Sequence, residues 1–258
     1  MYFMKNLIGA GMLAGIFLLS ACNGTPDPAL PPSSDFTVTF KATYDGQPLE
    51  KYKNYGYGSY PVLFSRFNTY LSDITLLKGA DEIRISDIEW VDFTPDLASN
   101  NLAVEVPITF KNVPDGDYTG IRIGYGVRPD LNAKRPNNFS STHPLSRENE
   151  YWLGWNSYIF TKVEGKADLD NSGAFATSLV YHCGSDAVYR TFSFNTPITV
   201  QQGAAATVTF DLKKFFTING ALFDLSVPAN QLTSNDVDNV VVATILMDNF
   251  GNATTVNQ

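Results

Sequence analysis

The sequence contains little of the chemistry on which most metal centres and active sites depend. Its 258 residues include two histidines, two cysteines and four methionines. No CxxC or HxxxH spacing occurs, and two histidines are too few for a closed zinc site. A GxSxG element, a phosphate-binding loop and a dinucleotide fingerprint are absent as well. We therefore expect a binding protein and not an enzyme.

Positive charge is also scarce. The chain has 18 Lys and Arg residues against 26 Asp and Glu residues, a formal net charge of −8 at pH 7. Without residues 1–21, which contain Lys5, the counts are 17 and 26, a net charge of −9. A nucleic-acid partner requires a basic face that neutralises phosphates. We therefore expect no nucleic-acid partner.

Only one long apolar run is present, and it lies at the N-terminus. Residues 7–19 follow the single positive charge of Lys5, and Leu19-Ser20-Ala21-Cys22 comes at their end. The run is too short to span a bilayer and has the layout of a secretory signal. The segment Leu19-Ser20-Ala21-Cys22 resembles a bacterial lipobox, in which the cysteine is acylated. We predict a lipoprotein signal peptide over residues 1–21 and lipidation at Cys22.

The segment after Cys22 has the composition of a tether. Residues 23–34 contain four prolines and no apolar periodicity, which favours an extended, semi-stiff chain. A lipid and a tether hold a globular domain against a membrane without spanning it. We therefore predict an acylated cysteine and Pro-rich tether over 22–34, a single domain over 35–258, and an outer-membrane location facing the periplasm or the cell surface.

The remaining chain shows period-two alternation broken by Asp-Gly turns, and no sustained helical period. Such a pattern predicts antiparallel strands. We predict an all-β fold, an antiparallel β-sandwich or flattened barrel, with one helical turn within 230–236. The predicted strands lie at residues 36–40, 70–77, 83–93, 104–110, 118–124, 158–164, 174–183, 187–195, 206–212 and 239–247.

One connection, residues 128–150, is too long for an ordinary turn. It is rich in Pro, Asn and Ser and lacks periodicity, and loops of this length are usually functional or disordered. It carries His143 and leads into an aromatic segment, residues 151–165, that contains Trp152 and Trp155. We interpret it as one long functional loop.

The two histidines, His143 and His182, lie on either side of that aromatic segment. Two imidazoles suit copper, zinc or nickel, and copper(II) binds most strongly at equal geometry. A third ligand would be water, a carboxylate, Cys183 or a modified aromatic ring. On a regular strand His182 and Cys183 point to opposite faces. Otherwise His143 is a surface imidazole, His182 is a strand-end histidine bonded to backbone, and the unpaired Cys183 is either buried and inert or reactive.

Trp152 and Trp155 are three residues apart. This spacing places them on opposite faces of a strand or on one face of a helical turn. On a straight strand one tryptophan joins the core and the other faces the 128–150 loop. The alternative is that both rings simply pack in the core, as tryptophans commonly do. Trp90 is predicted to lie in the core.

Six motifs together resemble the MbnP-like family, and the likeness covers most of residues 36–212. These motifs are Tyr70-Leu-Ser-Asp-Ile-Thr-Leu76, Asn112-Val-Pro-Asp-Gly-Asp-Tyr118, Gly126-Val-Arg-Pro-Asp-Leu-Asn132, His143-Pro-Leu145, Tyr151-Trp-Leu-Gly-Trp-Asn-Ser-Tyr-Ile-Phe-Thr-Lys-Val-Glu-Gly165 and Tyr181-His-Cys-Gly184. The resemblance implies an exported copper-binding protein with a partner related to MauG-type diheme peroxidases. It further implies copper at His143 and His182, and oxidation of Trp152 or Trp155 to kynurenine.

Two further patterns have simpler interpretations. Residues 168–173 look like the opening of an EF-hand loop, but the twelfth position is Leu179 and a strand follows, so we predict a hairpin turn. Tyr52, Tyr55, Tyr57 and Tyr60 form either an exposed sugar-stacking rim or an edge that packs on the core. The sequence thus predicts a copper lipoprotein for copper acquisition or handling. The alternatives are a surface lipoprotein that binds glycan or another ligand through aromatic platforms, and an adhesin or structural component.

Overall fold

The computed structural model describes residues 31–96, 100–233 and 240–258. The predicted signal peptide, Cys22 and most of the tether lie outside the described residues. The described residues belong almost entirely to one unit, Pro32–Gln258. Its first strand begins at Ser33, two residues before the boundary predicted at residue 35. Strand residues make up 52% and helix residues 16%, so the all-β prediction is confirmed.

The strands run through the whole unit. They are β1 (Ser33–Tyr44), β2 (Gln47–Pro48), β3 (Tyr55–Tyr57), β4 (Tyr60–Lys78), β5 (Asp81–Asp92), β6 (Val106–Pro114), β7 (Gly116–Tyr118), β8 (Gly120–Tyr125), β9 (Tyr151–Trp152), β10 (Ser157–Ala167), β11 (Thr177–Gly184), β12 (Arg190–Phe194), β13 (Ile198–Val200), β14 (Ala205–Asp211), β15 (Thr217–Ile218), β16 (Ala221–Leu222) and β17 (Thr254–Asn257).

Helical segments are short. The α-helices are α1 (Pro129–Asn132), α2 (Leu212–Phe215), α3 (Val241–Asp248) and α4 (Phe250–Ala253). The 3₁₀ helices are η1 (Pro136–Asn138), η2 (Pro144–Ser146), η3 (Glu148–Glu150), η4 (Asp186–Val188) and η5 (Pro228–Asn230). None of the helices in the described ranges is long and apolar enough to cross a membrane.

The first sheet is built on β1, which alternates as its sequence predicts. Phe36, Val38 and Phe40 are fully buried. The strand order is β17-β14-β1-β2, with β6 also paired to β1. β1 and β14 run parallel, which departs from the antiparallel expectation. A parallel pair requires a long crossover, and the second sheet lies in the chain between these two strands.

The second sheet is built on the 19-residue strand β4. Its order is β11-β10-β4-β8-β12, with β3 and β5 also paired to β4 and β9 paired to β10. Phe210 of the first sheet makes edge contacts with Phe67 of the second and with Phe93, which directly follows β5, at ring distances of 6.3 and 5.6 Å. The described strands do not close into a barrel, so the sandwich alternative is the correct one.

Residues 239–247 were predicted as a strand, and this prediction is wrong for the described part, where α3 covers Val241–Asp248. The segment is almost continuously apolar, and such a run does not distinguish a strand from a buried helix. Ala243, Leu246 and Met247 are buried at the helical spacing of three and four. The first part of the strand predicted at 187–195 is also helical, as η4. The helical turn was predicted within 230–236. Of its described residues, 230–233, only Asn230 is helical, as the last residue of η5, and residues 234–236 lie outside the described ranges.

Candidate functional site

His182 lies on β11 and faces a carboxylate of the neighbouring strand. Its Nε2 is 2.7 Å from Glu164 Oε1 on β10. The register pairs His182 with Lys162 and Val180 with Glu164, so His182 and Glu164 are diagonal neighbours on one face of the sheet. Both side chains are partly exposed. The hydrogen bond with His182 is the main reason that the pKa of Glu164 lies below its usual value.

The contact with Glu164 determines which ring nitrogen of His182 is available. An ionised carboxylate only accepts hydrogen bonds, so Nε2–H donates and the lone pair of the neutral ring lies on Nδ1. Metal-binding histidines commonly donate their other N–H to a carboxylate in this way. Arg66 Nε lies 3.5 Å from the second oxygen of Glu164. The backbone N–H of His182 donates to Thr233 Oγ1 at 2.9 Å.

Trp152 and Trp155 do not lie on one straight strand. β9 ends at Trp152, a tight loop with Asn156 at φ 52° follows, and β10 returns. The two indoles therefore stack, with ring centroids 5.1 Å apart and planes 13° apart. A Cβ at Gly184 would lie 3.0 Å from the Trp155 ring. Gly184 follows His182 by two positions on the same face, so the indole pair covers β11 beside His182.

His143 makes a different set of contacts. It is the N-cap of η2, and its Nδ1 accepts a hydrogen bond from the backbone N–H of Leu145 at 3.1 Å. Its ring stacks on Phe139 with centroids 4.3 Å apart. Burial, with Lys134 nearby, lowers the pKa of His143. An acceptor Nδ1 leaves the proton on Nε2, so metal binding through Nε2 requires the bond to Leu145 to break.

The loop over residues 128–150 is built from short helices and is anchored to the second sheet. The Tyr70 hydroxyl donates to the carbonyl of Pro144 at 3.2 Å, and the Tyr158 hydroxyl donates to that of Leu145 at 2.7 Å. Both tyrosine side chains are fully buried. The position of η2, and of His143 with it, is therefore set by the strands underneath.

The structure places Trp155 against Gly184, two positions along β11 from His182, and places His143 elsewhere. His143 borders a cavity of about 330 Å³ together with Trp90 of β5. β11 carries His182, and β5 carries Trp90. In the sheet, β10 and β4 lie between these two strands, so β11 and β5 are roughly 14 Å apart at about 4.8 Å per strand. Across the described ranges no group of three or more His, Cys, Asp or Glu side chains is placed to hold a metal. A joint site at His143 and His182 stays a prediction.

Cys183 follows the expected alternation along β11. It is fully buried, whereas His182 is partly exposed, so the thiol lies on the other face of the strand. Burial raises the pKa of the thiol to about 12. A thiol with these properties is protonated at neutral pH and inert. Of the two alternatives for Cys183, buried and inert or reactive, the first is the one observed.

Residues 168–173 form part of the connection between β10 and β11, as the hairpin prediction requires. Asp168 is buried, and its carboxylate accepts hydrogen bonds from the backbone N–H groups of Ser172 and Gly173 at 3.1 and 2.9 Å. These carboxylate oxygens bind the loop itself.

The tyrosine cluster and Trp90 contribute mainly to packing. Tyr55 and Tyr57 are buried, and the Tyr60 hydroxyl accepts a hydrogen bond from the Leu225 N–H at 3.1 Å. Tyr52 alone of the four is exposed, at 58%, so no four-tyrosine rim exists. Trp90 is half-buried against the core.

The residue that sequence analysis missed is Glu164. It stands among 26 acidic residues without a local motif. Only the pairing register of β10 and β11 shows that Glu164 lies next to His182. The length of the connection between the two strands prevents the sequence from giving that register. A two-residue hairpin would have fixed the register from the sequence, but this connection is nine residues long, 168–176.

Comparison with known proteins gives one result. A family model described as MbnP matches residues 33–238. The matched range contains both histidines and the stacked tryptophans. No curated protein and no solved structure matches the chain.

Proposed function

Because the chain belongs to the MbnP family, we propose that it is an exported copper-binding protein that acts in copper acquisition or handling. The observation that carries the proposal is the 2.7 Å contact between His182 Nε2 and Glu164. It orients the imidazole and leaves Nδ1 as the donor atom. Imidazole nitrogen is a favoured ligand of copper.

In the proposed site, His182 is the rigid ligand. It is held by strand pairing, by Thr233 and by Glu164, so binding copper costs little side-chain ordering. His143 is the proposed second imidazole. To reach an ion at His182, the η2 segment must leave its anchors on Tyr70 and Tyr158, and His143 must give up its bond to the Leu145 N–H. Water or a modified indole completes the ligand set.

Trp152 and Trp155 are the proposed substrates of an external oxidase related to diheme peroxidases. Their stacked rings are partly exposed and lie beside His182. Oxidation of one of them to kynurenine would add an aniline nitrogen and a ketone oxygen as ligand atoms near His182. Anchoring through acylated Cys22 would hold the site at the outer membrane, on its periplasmic or outer face.

Metal analysis and copper titration test the proposal. The intact mass and metal content of protein purified from its native membrane are measured. The protein is then loaded with copper and titrated with a copper chelator. We expect about one copper per chain and a severe loss of affinity in His182→Ala. Wild-type protein that binds no copper, or a His182→Ala variant that binds as tightly, would overturn it.

A further inference from the structure

Tyr52 is held in solvent by a strained backbone. Its φ of 63° is in the left-handed region, which a bulky residue rarely adopts. Its backbone N–H donates to the carbonyl of Phe64 at 2.8 Å, which fixes the turn. The ring is 58% exposed, and among the described residues its hydroxyl has no hydrogen-bond partner. Tyr52 thus combines a strained backbone conformation with a solvent-exposed aromatic ring.

Tyr52 borders a groove, named here the Tyr52–Phe175 groove, of about 450 Å³. This volume falls within the range of small-molecule sites. Phe175, half-buried, lies in the connection between β10 and β11 and supplies the second aromatic ring. Between them, Gly165 places no side chain on the surface. A Cβ there would lie 2.2 Å from the carbonyl oxygen of Leu63, so only glycine fits.

The polar residues of the groove limit the class of ligand. Ser65 and Ser178 contribute hydroxyls, Lys166 one positive charge and Glu164 one negative charge. The two charges cancel, which disfavours phosphate or a polyanion, since these require an excess of cationic groups. A purely apolar ligand would leave these polar groups without partners.

The backbone of the groove excludes a peptide strand. Apart from Tyr52 and Phe175, the lining residues belong to β4, β10 and β11, and each of these strands is hydrogen-bonded to the next. β11 is the edge strand, but at Val180 its outer backbone groups already pair with Gln231 and Thr233. The groove therefore lies on the face of a sheet, whereas added strands pair with a sheet edge.

We propose that the Tyr52–Phe175 groove binds a neutral carbohydrate. A sugar ring has an apolar C–H face, which the aromatic ring of Tyr52 removes from water. Its hydroxyls donate to and accept from the serines and the charged side chains at the rim. The proposal is independent of the copper site, although Glu164 borders both.

Affinity electrophoresis tests the proposal with the full chain in nonionic detergent. Native gels contain mixed-linkage β-glucan, xylan or galactomannan as probes, and mobility is compared with a gel that lacks polysaccharide. We expect at least one probe to retard the wild-type chain. Tyr52→Gly should weaken that binding at least tenfold, because it removes the platform. Its melting temperature should be equal or higher, because glycine relieves the positive φ.

Two controls complete the test. Tyr52→Phe keeps the ring, and its binding to the polysaccharide should stay within about threefold of wild type. Val241→Ala removes a similarly exposed apolar side chain that lies outside the groove, and it should leave that binding unchanged.

The proposal is overturned if none of the three probes retards the wild type, or if Tyr52→Gly is retarded as strongly. Copper titration of Tyr52→Gly should match wild type, so failure of one proposal is distinguishable from failure of the other.

Discussion

His182 Nε2 and Glu164 Oε1 lie 2.7 Å apart on adjacent strands of one sheet. The pair places a carboxylate behind the imidazole in the arrangement that fixes the tautomer of a metal ligand. Stacked indoles cover the same face two residues along β11. The candidate copper site therefore has a defined donor atom, His182 Nδ1. The contribution of Glu164 can be measured by substituting it while His182 is kept.

Glu164→Ala should lower copper affinity by about 10- to 100-fold, the usual cost of removing the partner of a metal-binding histidine. The imidazole would lose its orientation and its proton acceptor. Chelator competition measures the effect. Glu148→Gln is the matched control, since it also removes one negative charge but from an exposed position outside the pair. Unchanged affinity in Glu164→Ala would show that the carboxylate does not support the ligand.

His143→Asn separates the two roles of His143. Asparagine is a good N-cap residue, so the variant should keep the cap of η2 and stay folded, with a small fall in melting temperature from the lost stacking on Phe139. We expect copper affinity to fall at least tenfold, because a single imidazole does not chelate. Equal affinity in the variant and the wild type would restrict His143 to capping and leave His182 as the only histidine ligand.

The ion pair between Lys162 and Glu150 should be important for stability. Its atoms lie 2.7 Å apart, with side-chain exposures of 9% and 7%, and Lys162 also donates to the carbonyl of Asn149 at 2.8 Å. Glu150→Ala leaves a buried ammonium without its carboxylate and should cost about 3–5 kcal/mol in the free energy of unfolding. Urea unfolding measures the loss.

The double variant Glu150→Leu/Lys162→Met is the control for that prediction. It removes both charges, and replacing a buried ion pair by apolar residues is often close to neutral. We expect it to be more stable than Glu150→Ala. A double variant that loses as much as the single variants Glu150→Leu and Lys162→Met together would show that the two charges do not interact.

Cys183 should resist alkylation in the folded protein. Burial raises its pKa to about 12, so the thiol stays protonated at pH 9 and is a poor nucleophile. Iodoacetamide should therefore leave the Cys183 peptide unmodified between pH 7 and 9 and modify it rapidly in denaturant. Mass mapping of that peptide measures both states. Rapid labelling of the native protein at pH 7 would contradict the buried position.

Cys22→Ala should release the protein from the membrane fraction or leave it unprocessed, because acylation at this residue is the predicted anchor. Fractionation and intact-mass measurement of the exported chain test this. Normal anchoring of the variant would refute the lipobox prediction.

Local patterns in the sequence determined much of the sandwich. The strand pattern predicted the central part of β1, the second half of β4, and β5 and β10, and it placed His182 and Cys183 on opposite faces of β11. These features follow from the period of two in a strand, which neighbouring residues alone specify. The turn at 168–173 was predictable for the same reason, since its glycine and acidic residues act within the loop.

Only the tertiary structure decided how the site is assembled. The partner of His182 depends on the register between β10 and β11. The stacking of Trp152 on Trp155 depends on the tight loop between β9 and β10, where the sequence left a strand and a helical turn open. His143 acts as a cap because buried tyrosines of the second sheet hold η2 in place. Each of these contacts joins residues that are distant in the chain or whose local pattern fits two structures, so pairing and packing across the sheets select one arrangement.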